Sequence, residues 1–85
     1  MTIKQLQNKV YEEVRHHYDK IINAERNEEM MYYYYGAHNI MLFALNCGII
    51  DLETEKYYDA KIDQAHDKYY ENAKSELESA HKKLF

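Results

Sequence analysis

Apolar residues recur at spacings of three and four along most of the chain, which is the period of an α-helix that buries one face. The first such segment begins at Thr2, which with Gln5 three residues later has the form of a capping box. Its apolar stripe comprises Ile3, Leu6, Val10, Val14, Tyr18, Ile21 and Ile22. The pattern predicts a first helix over about residues 3–25.

The second segment is apolar around its whole circumference. Asn27 is predicted to cap it, and the acidic Glu28 and Glu29 would complement the helix dipole in its first turn. Gly48 has the position of a glycine that follows a helix C-terminus. A helix without a polar face is normally buried on all sides. The pattern predicts a second helix over about residues 28–47.

The third segment is the longest. Asp51 is its predicted cap, and no glycine or proline follows before the end of the chain. Its apolar stripe comprises Tyr58, Ile62, Ala65, Tyr69, Ala73, Leu77, Ala80 and Leu84. The pattern predicts a helix over about residues 52–84, so the chain is expected to be all-α, with a long C-terminal helix in a single domain of residues 1–85.

The apolar second helix points to a homodimer. In a three-helix bundle each helix leaves one face in water, and a chain of 85 residues buries only about 60–65 % of its unfolded surface. Exposed apolar patches usually mark interfaces, so we expect two chains to form a six-helix bundle with the second helix near the two-fold axis. The alternative is a splayed monomer in which the hydroxyls of residues 32–35 reach solvent. The predicted interface comprises Met31, Tyr34, Tyr35, His38, Met41, Leu42 and Leu45.

Composition and charge exclude several classes of protein. The chain has no proline and two glycines, which argues against a turn-rich β fold. Its single cysteine, Cys47, excludes an internal disulfide and fits a reducing compartment. A net charge of −4 argues against direct binding to nucleic acid or an anionic membrane. The beginning of the chain has no signal-peptide pattern, and polar residues interrupt the longest apolar run, so we expect a cytoplasmic protein of a bacterial host.

Acidic side chains follow one another along the third helix at a strict spacing of four residues. We call these residues the acidic ridge: Glu55, Asp59, Asp63, Asp67 and Glu71. Each step advances about 6 Å along the helix and drifts about 40° around it. Like charges at this spacing destabilise a helix, so the ridge is either a solvated face or a surface that docks in a groove built for a nucleic-acid backbone. Tyr57 and Tyr70 are predicted to assist binding, because each lies off the core stripe beside a core tyrosine.

Motifs for catalysis or metal binding are weak. Glu-x-x-His strings occur at residues 13–16 and 78–81, with an aspartate variant at 63–66, but helical geometry turns them away from the apolar stripes. His38 is expected to be a hydrogen-bonded structural histidine, or a pH-sensitive group if a dimer buries it. Cys47 is expected to be a buried, inert thiol. The sequence thus predicts no catalytic residues, no metal ligands and no cofactor.

The chain is short, acidic and helical, has ten tyrosines, and makes heavy use of Lys, Asn, Ile, Tyr and Glu, the amino acids favoured by AT-rich genomes. In this character it resembles many phage and mobile-element proteins. Anti-CRISPR proteins of Gram-positive phages are one such set. The resemblance covers the character of the whole chain and rests on no diagnostic motif. It implies a non-enzymatic inhibitor that binds a Cas9-like CRISPR nuclease through acidic side chains. The alternatives are a metal-binding helical-bundle enzyme and a structural or assembly protein of a phage.

Overall fold

The computed structural model describes residues 1–84 and the side chains of residues 1–81. Three helices follow one another: α1 (Ile3–Ile22), α2 (Asn27–Asn46) and α3 (Leu52–Leu84). Within the described residues there is no β-strand. The predicted all-α architecture of three helices with a long C-terminal one is therefore confirmed.

Local capping explains most helix ends. Thr2 and Gln5 form the predicted capping box, with the Gln5 amide donating to Thr2 Oγ1 at 3.1 Å and the Thr2 amide donating to Gln5 Oε1 at 2.8 Å. Gly48 has a φ of 72°, and the Ile49 amide donates to the Ala44 carbonyl at 2.9 Å. Together with the Gly48-to-Leu45 bond, this is a Schellman C-terminus.

Asp51 caps α3, since its Oδ1 accepts the Thr54 amide at 2.8 Å. Hydrogen bonds from the Thr54 side chain and amide also hold the pKa of Asp51 below its ordinary value. The prediction that Asp51 starts the third helix is confirmed.

The junction between α1 and α2 differs from the expectation. Helix α1 ends at Ile22 rather than near Glu25, because the Asn23 side-chain amide donates to the Asp19 carbonyl at 2.9 Å and closes the helix. Asn27 is not the cap of α2: extended Arg26 holds that position without a side-chain hydrogen bond. The Oδ1 of Asn27 instead accepts the hydroxyl of Tyr70 at 2.7 Å, so a tertiary contact replaces the predicted cap.

One stripe of side chains from each helix forms the hydrophobic core. The largest fully buried side chains are Ile21 from α1, Met30 and Met41 from α2, and Ile62 from α3. Ala37, Ala44 and Ala65 are also fully buried, which lets the helix backbones approach closely. Gly36 contributes to the same closeness, because a Cβ placed there would lie 3.1 Å from the ring of His17 on α1.

Helix α3 extends beyond its two neighbours. At 1.5 Å per residue, its 33 residues span about 50 Å, whereas the 20 residues of α1 and of α2 span about 30 Å each. The prediction that the apolar stripe of α3 is buried is consequently wrong at Leu77, which is 72 % exposed, and at Ala80, which is also exposed. The side chain of Leu84, the last member of that stripe, lies outside the described residues.

The outer face of α2 is mixed in character rather than wholly apolar. Tyr32, Tyr35, Leu42 and Phe43 are all more than half exposed. The expectation that α2 lacks a polar face is wrong, since Glu28, Asn39 and Asn46 are exposed on the same side of the helix. No helix among the described residues combines the length and the apolarity needed to cross a bilayer.

Candidate functional site

A network of polar side chains joins α2 to α3. At its centre the imidazole of His38 on α2 lies between two carboxylates of α3. Its Nδ1 is 2.7 Å from Asp59 Oδ1, and its Nε2 is 3.1 Å from Asp63 Oδ1. A protonated imidazolium can donate from both nitrogens at once, which suits a position between two acids. Both ring nitrogens therefore lie within hydrogen-bond distance of a carboxylate on α3.

Tyr34, one helical turn before His38, completes the centre of the network. Its hydroxyl donates to Asp63 Oδ1 at 2.8 Å, the same oxygen that faces His38. The Tyr34 ring packs edge-on against His38 and tilted against His66, with centroid separations of 4.7 and 4.8 Å. Burial, followed by the hydrogen bond and the negative charge of Asp63, raises the pKa of Tyr34 from 10.0 to about 12.

The network continues toward the α1–α2 junction. The ring of His66 packs against that of Tyr70 at 4.9 Å, and Tyr70 reaches Asn27 through its hydroxyl. We call the whole set the α2/α3 seam: Asn27, Tyr34, His38, Asp59, Asp63, His66 and Tyr70. Every one of these side chains contacts another across or along the two helices.

The packing of α2 against α3 divides the acidic ridge into a covered part and an exposed part. Asp59 is 29 % exposed against 58 % for Asp63 and 75 % for Asp67, so α2 covers the beginning of the ridge and leaves its end open. A hydrogen bond with the carboxyl group of Asp59 raises the pKa of Glu55 above its ordinary value, as expected for two acids held together. Glu71 is exposed. The ridge therefore presents three carboxylates to solvent, those of Asp63, Asp67 and Glu71.

The two tyrosines predicted to assist the ridge lie on different flanks. Tyr70 is 45 % exposed and belongs to the α2/α3 seam. Tyr57 is 58 % exposed but lines a groove between α3 and α1, on the other side of the helix. Tyr57 is two residues from both Glu55 and Asp59, and a step of two residues along a helix turns the side chain through about 200°. Tyr57 therefore lies on a different side of α3 from these ridge residues.

The residues predicted at the dimer interface also separate into two groups. Met41 is fully buried within the chain, and His38 and Tyr34 contact α3, so these three serve the fold of a single chain. Met41 is therefore covered by its own chain, whereas the assignment of Tyr34 and His38 to an interface between chains stays a prediction. Met31 and Leu45 are half-buried against the core, and only Tyr35 and Leu42 are largely exposed.

Cys47 and the Glu-x-x-His strings are the remaining reactive groups that the sequence singled out. Cys47 is exposed and not buried as expected, because it caps the last turn of α2 at the edge of the bundle. Among the described residues, no group of three or more His, Cys, Asp and Glu side chains could hold a metal ion. Glu13 and His16, one of the predicted weak motifs, are both exposed on α1.

Sequence reasoning missed the role of His66 and the partners of His38. A signal was present for His66, which lies three residues after Asp63 and four before Tyr70 and therefore on the same side of α3. The partners of His38 are 21 and 25 residues away along the chain, and no local pattern identifies them. No family model, no curated protein and no solved structure matches the chain.

Replacing Tyr34 with phenylalanine should weaken the fall in the free energy of unfolding that is expected as the pH rises above 10. In the folded chain the pKa of Tyr34 is about 12, above the value of 10.0 for a free tyrosine. The neutral hydroxyl therefore contributes fully to the free energy of unfolding below pH 10, and this contribution is lost as the pH rises from 10 to 12. At neutral pH the lost hydrogen bond should cost about 0.5–1.5 kcal/mol. Urea unfolding followed by circular dichroism, repeated at each pH, measures both effects.

The matched control is Tyr32→Phe, because Tyr32 is 72 % exposed and its hydroxyl bonds to no described residue. This control should unfold as the unaltered protein does, with the same dependence on pH. Identical alkaline slopes for Tyr34→Phe and the unaltered protein would contradict the assignment.

Proposed function

We propose that this chain is a non-enzymatic inhibitor that binds another protein, of the anti-CRISPR kind and encoded by a phage. Its target is a nucleic-acid-handling nuclease of the Cas9 type, in the cytoplasm of a bacterial host. The chain uses the exposed end of the acidic ridge to occupy a groove that otherwise holds the phosphates of a nucleic acid.

The observation that carries this proposal is the exposure of Asp63 and Asp67 beside aromatic side chains. Asp67 is 75 % exposed, and it and Tyr35 both lie close enough to Tyr34 to act on its ionisation. The exposed Tyr35 packs against Tyr34 with ring centroids 5.5 Å apart, and the exposed Tyr70 follows Asp67 by three residues on the same side of α3. Tyrosines and charged groups combined in this way are typical of protein-binding surfaces, since a phenol offers a large apolar body with a polar tip.

The electrostatics of a nucleic-acid groove favour such a surface. Nuclease channels bind phosphates through lysine and arginine side chains. Carboxylates that advance about 6 Å per turn along a rigid helix would present negative charge to those cations without entering the chemistry of the enzyme. Because hydrogen bonds to Tyr34 and His38 already fix Asp63, little side-chain entropy is lost when it binds.

The non-enzymatic part of the proposal has its own support. His38 has a carboxylate within hydrogen-bond distance of each ring nitrogen. A general base needs a nitrogen that can reach a substrate. The arrangement is better suited to holding two helices together than to transferring protons.

The experiment is inhibition of DNA cleavage by a guide-loaded type II nuclease. The test variant reverses Asp67 and Glu71 to lysine, and it leaves Asp59 and Asp63 in place because those residues hold His38. The control variant reverses Glu13 and Asp19, two exposed acids of α1. Both variants cancel the net charge of −4. We expect loss of inhibition in the first alone; full inhibition by the Asp67/Glu71 variant would refute the ridge model.

A homodimer remains part of the proposal, with an interface that keeps Leu42 from the predicted set and adds other exposed apolar side chains. It is supported by exposed apolar side chains in two places: Tyr32, Leu42 and Phe43 on α2, and Leu77 on the extension of α3. The same surfaces support the alternative of a phage assembly protein that packs into larger arrays. Sedimentation equilibrium separates the two, because an array grows with concentration whereas a dimer keeps its mass.

A further inference from the structure

A groove between α1 and α3, on the side of the bundle away from the acidic ridge, has the shape and lining of a ligand site. Its volume is about 490 Å³, within the usual range for small-molecule sites. The buried Val14 and Ile62 form its apolar floor. Four tyrosines and two cations form most of its walls: Tyr11, Arg15, Tyr18, Tyr57, Tyr58 and Lys61.

The tyrosines give the groove flat aromatic surfaces. Tyr11 and Tyr58 are stacked across the two helices, with centroids 5.0 Å apart and planes at 15°. The neighbouring ring of Tyr57 is edge-on to Tyr58 and 58 % exposed. Exposed rings of this kind accept the flat face of a nucleobase by stacking, which is worth about 1–3 kcal/mol per base.

The two cations of the groove are Arg15 and Lys61. Among the described residues, no carboxylate forms an ion pair with Arg15 or Lys61. The ammonium of Lys61 lies 5.6 Å from the centre of the Tyr57 ring. Glu12 is the one acidic side chain in the lining. A guanidinium and an ammonium that line the same groove are suited to a phosphate group, which the arginine can bind through two parallel hydrogen bonds.

We propose that this groove binds a free nucleoside monophosphate, with the base stacked on Tyr57 and the phosphate held by Arg15 and Lys61. The charges favour a mononucleotide over a nucleic-acid strand. A single phosphate of up to two negative charges matches the two cations, whereas each further phosphate would meet a chain whose net charge is −4. This inference is independent of the inhibitor proposal, because it concerns the opposite side of α3.

The test is a titration of the full chain with adenosine 5′-monophosphate, followed by amide chemical shifts in NMR. We expect shifts confined to residues 11–18 of α1 and 57–62 of α3. Adenosine and inorganic phosphate, which each lack one half of the ligand, should bind at least about tenfold more weakly, as expected when a charged hydrogen bond or a stacked base is lost.

Variants connect the shifts to named side chains. Arg15→Ala with Lys61→Ala should weaken binding at least about tenfold, whereas the control pair Lys20→Ala with Arg26→Ala should leave it unchanged. Tyr57→Leu should weaken binding and Tyr32→Leu should not. Glu12→Gln should strengthen it, because it removes the one negative charge in the lining.

Three results would overturn the proposal. The first is an absence of shifts at millimolar nucleotide, and the second is equal binding by the Arg15/Lys61 variant and its control. The third is a single-stranded oligonucleotide that binds the same groove more tightly than the mononucleotide does, since that would assign the groove to a strand. Circular dichroism confirms that each variant remains helical.

Discussion

Ile62→Ala should remove a large part of the folding stability of the chain. Ile62 is fully buried at the centre of the three helices, and truncating a buried isoleucine costs about 2–5 kcal/mol through lost burial and the cavity left behind. Small domains have only about 5–15 kcal/mol in total. We therefore expect a large fall in the urea midpoint, measured by circular dichroism, and a population of unfolded chains near body temperature.

Leu77→Ala is the matched control, because Leu77 continues the same apolar stripe of α3. It is 72 % exposed, so truncation should change the free energy of unfolding by no more than about 0.5 kcal/mol. A loss as large as that of Ile62→Ala, and one that shrinks as the protein is diluted and its dimers dissociate, would mean that a second chain covers Leu77. An equal and concentration-independent loss would instead contradict the extension of α3 beyond the bundle.

The contrast between these two residues shows what periodicity can predict. Spacings of three and four identified all three helices, and they placed Val14, Ile21, Ile62 and Ala65 on core faces correctly. The same pattern continues through Leu77, where the neighbouring helices have already ended. Burial depends on whether another helix is present at that height, and the sequence of α3 alone carries no such information.

The helix ends show the same limit of prediction from sequence. The capping box at Thr2, the glycine at Gly48 and the cap at Asp51 depend on residues a few positions apart, and all three were predictable. Asn27 was predicted wrongly because its side chain is taken by Tyr70, 43 residues later. A local preference gives way where a tertiary partner offers the same side chain a hydrogen bond.

The acidic ridge was predictable as a spacing but not as a surface. A step of four residues drifts about 40° around the helix, so the ridge begins beside α2 at Glu55 and Asp59 and ends in solvent at Asp67 and Glu71. The point where it emerges depends on how α2 lies against α3. The pairing of His38 with Asp59 and Asp63 fixes that relation, and it became visible only in three dimensions.

Asp63→Ala should destabilise the fold, whereas Asp67→Ala, one turn further along the ridge, should not. Asp63 accepts from Tyr34 at 2.8 Å and faces His38 at 3.1 Å, and both partners lose a hydrogen bond when its carboxylate is removed. Because Asp63 is 58 % exposed, water replaces part of what is lost. We expect a cost of about 1 kcal/mol, measured by urea unfolding at neutral pH.

Asp67 is a fair comparison because it has the same side chain, the same helix and the same loss of charge. It is 75 % exposed, and its hydrogen-bond partner among the described residues is His66, at 3.5 Å. Its removal also relieves repulsion along the ridge, as does that of Asp63, so the difference between the two variants isolates the contacts with α2. Equal stabilities would contradict the seam as a structural element. A difference of the expected size assigns Asp63 to the fold and leaves Asp67 available for a partner.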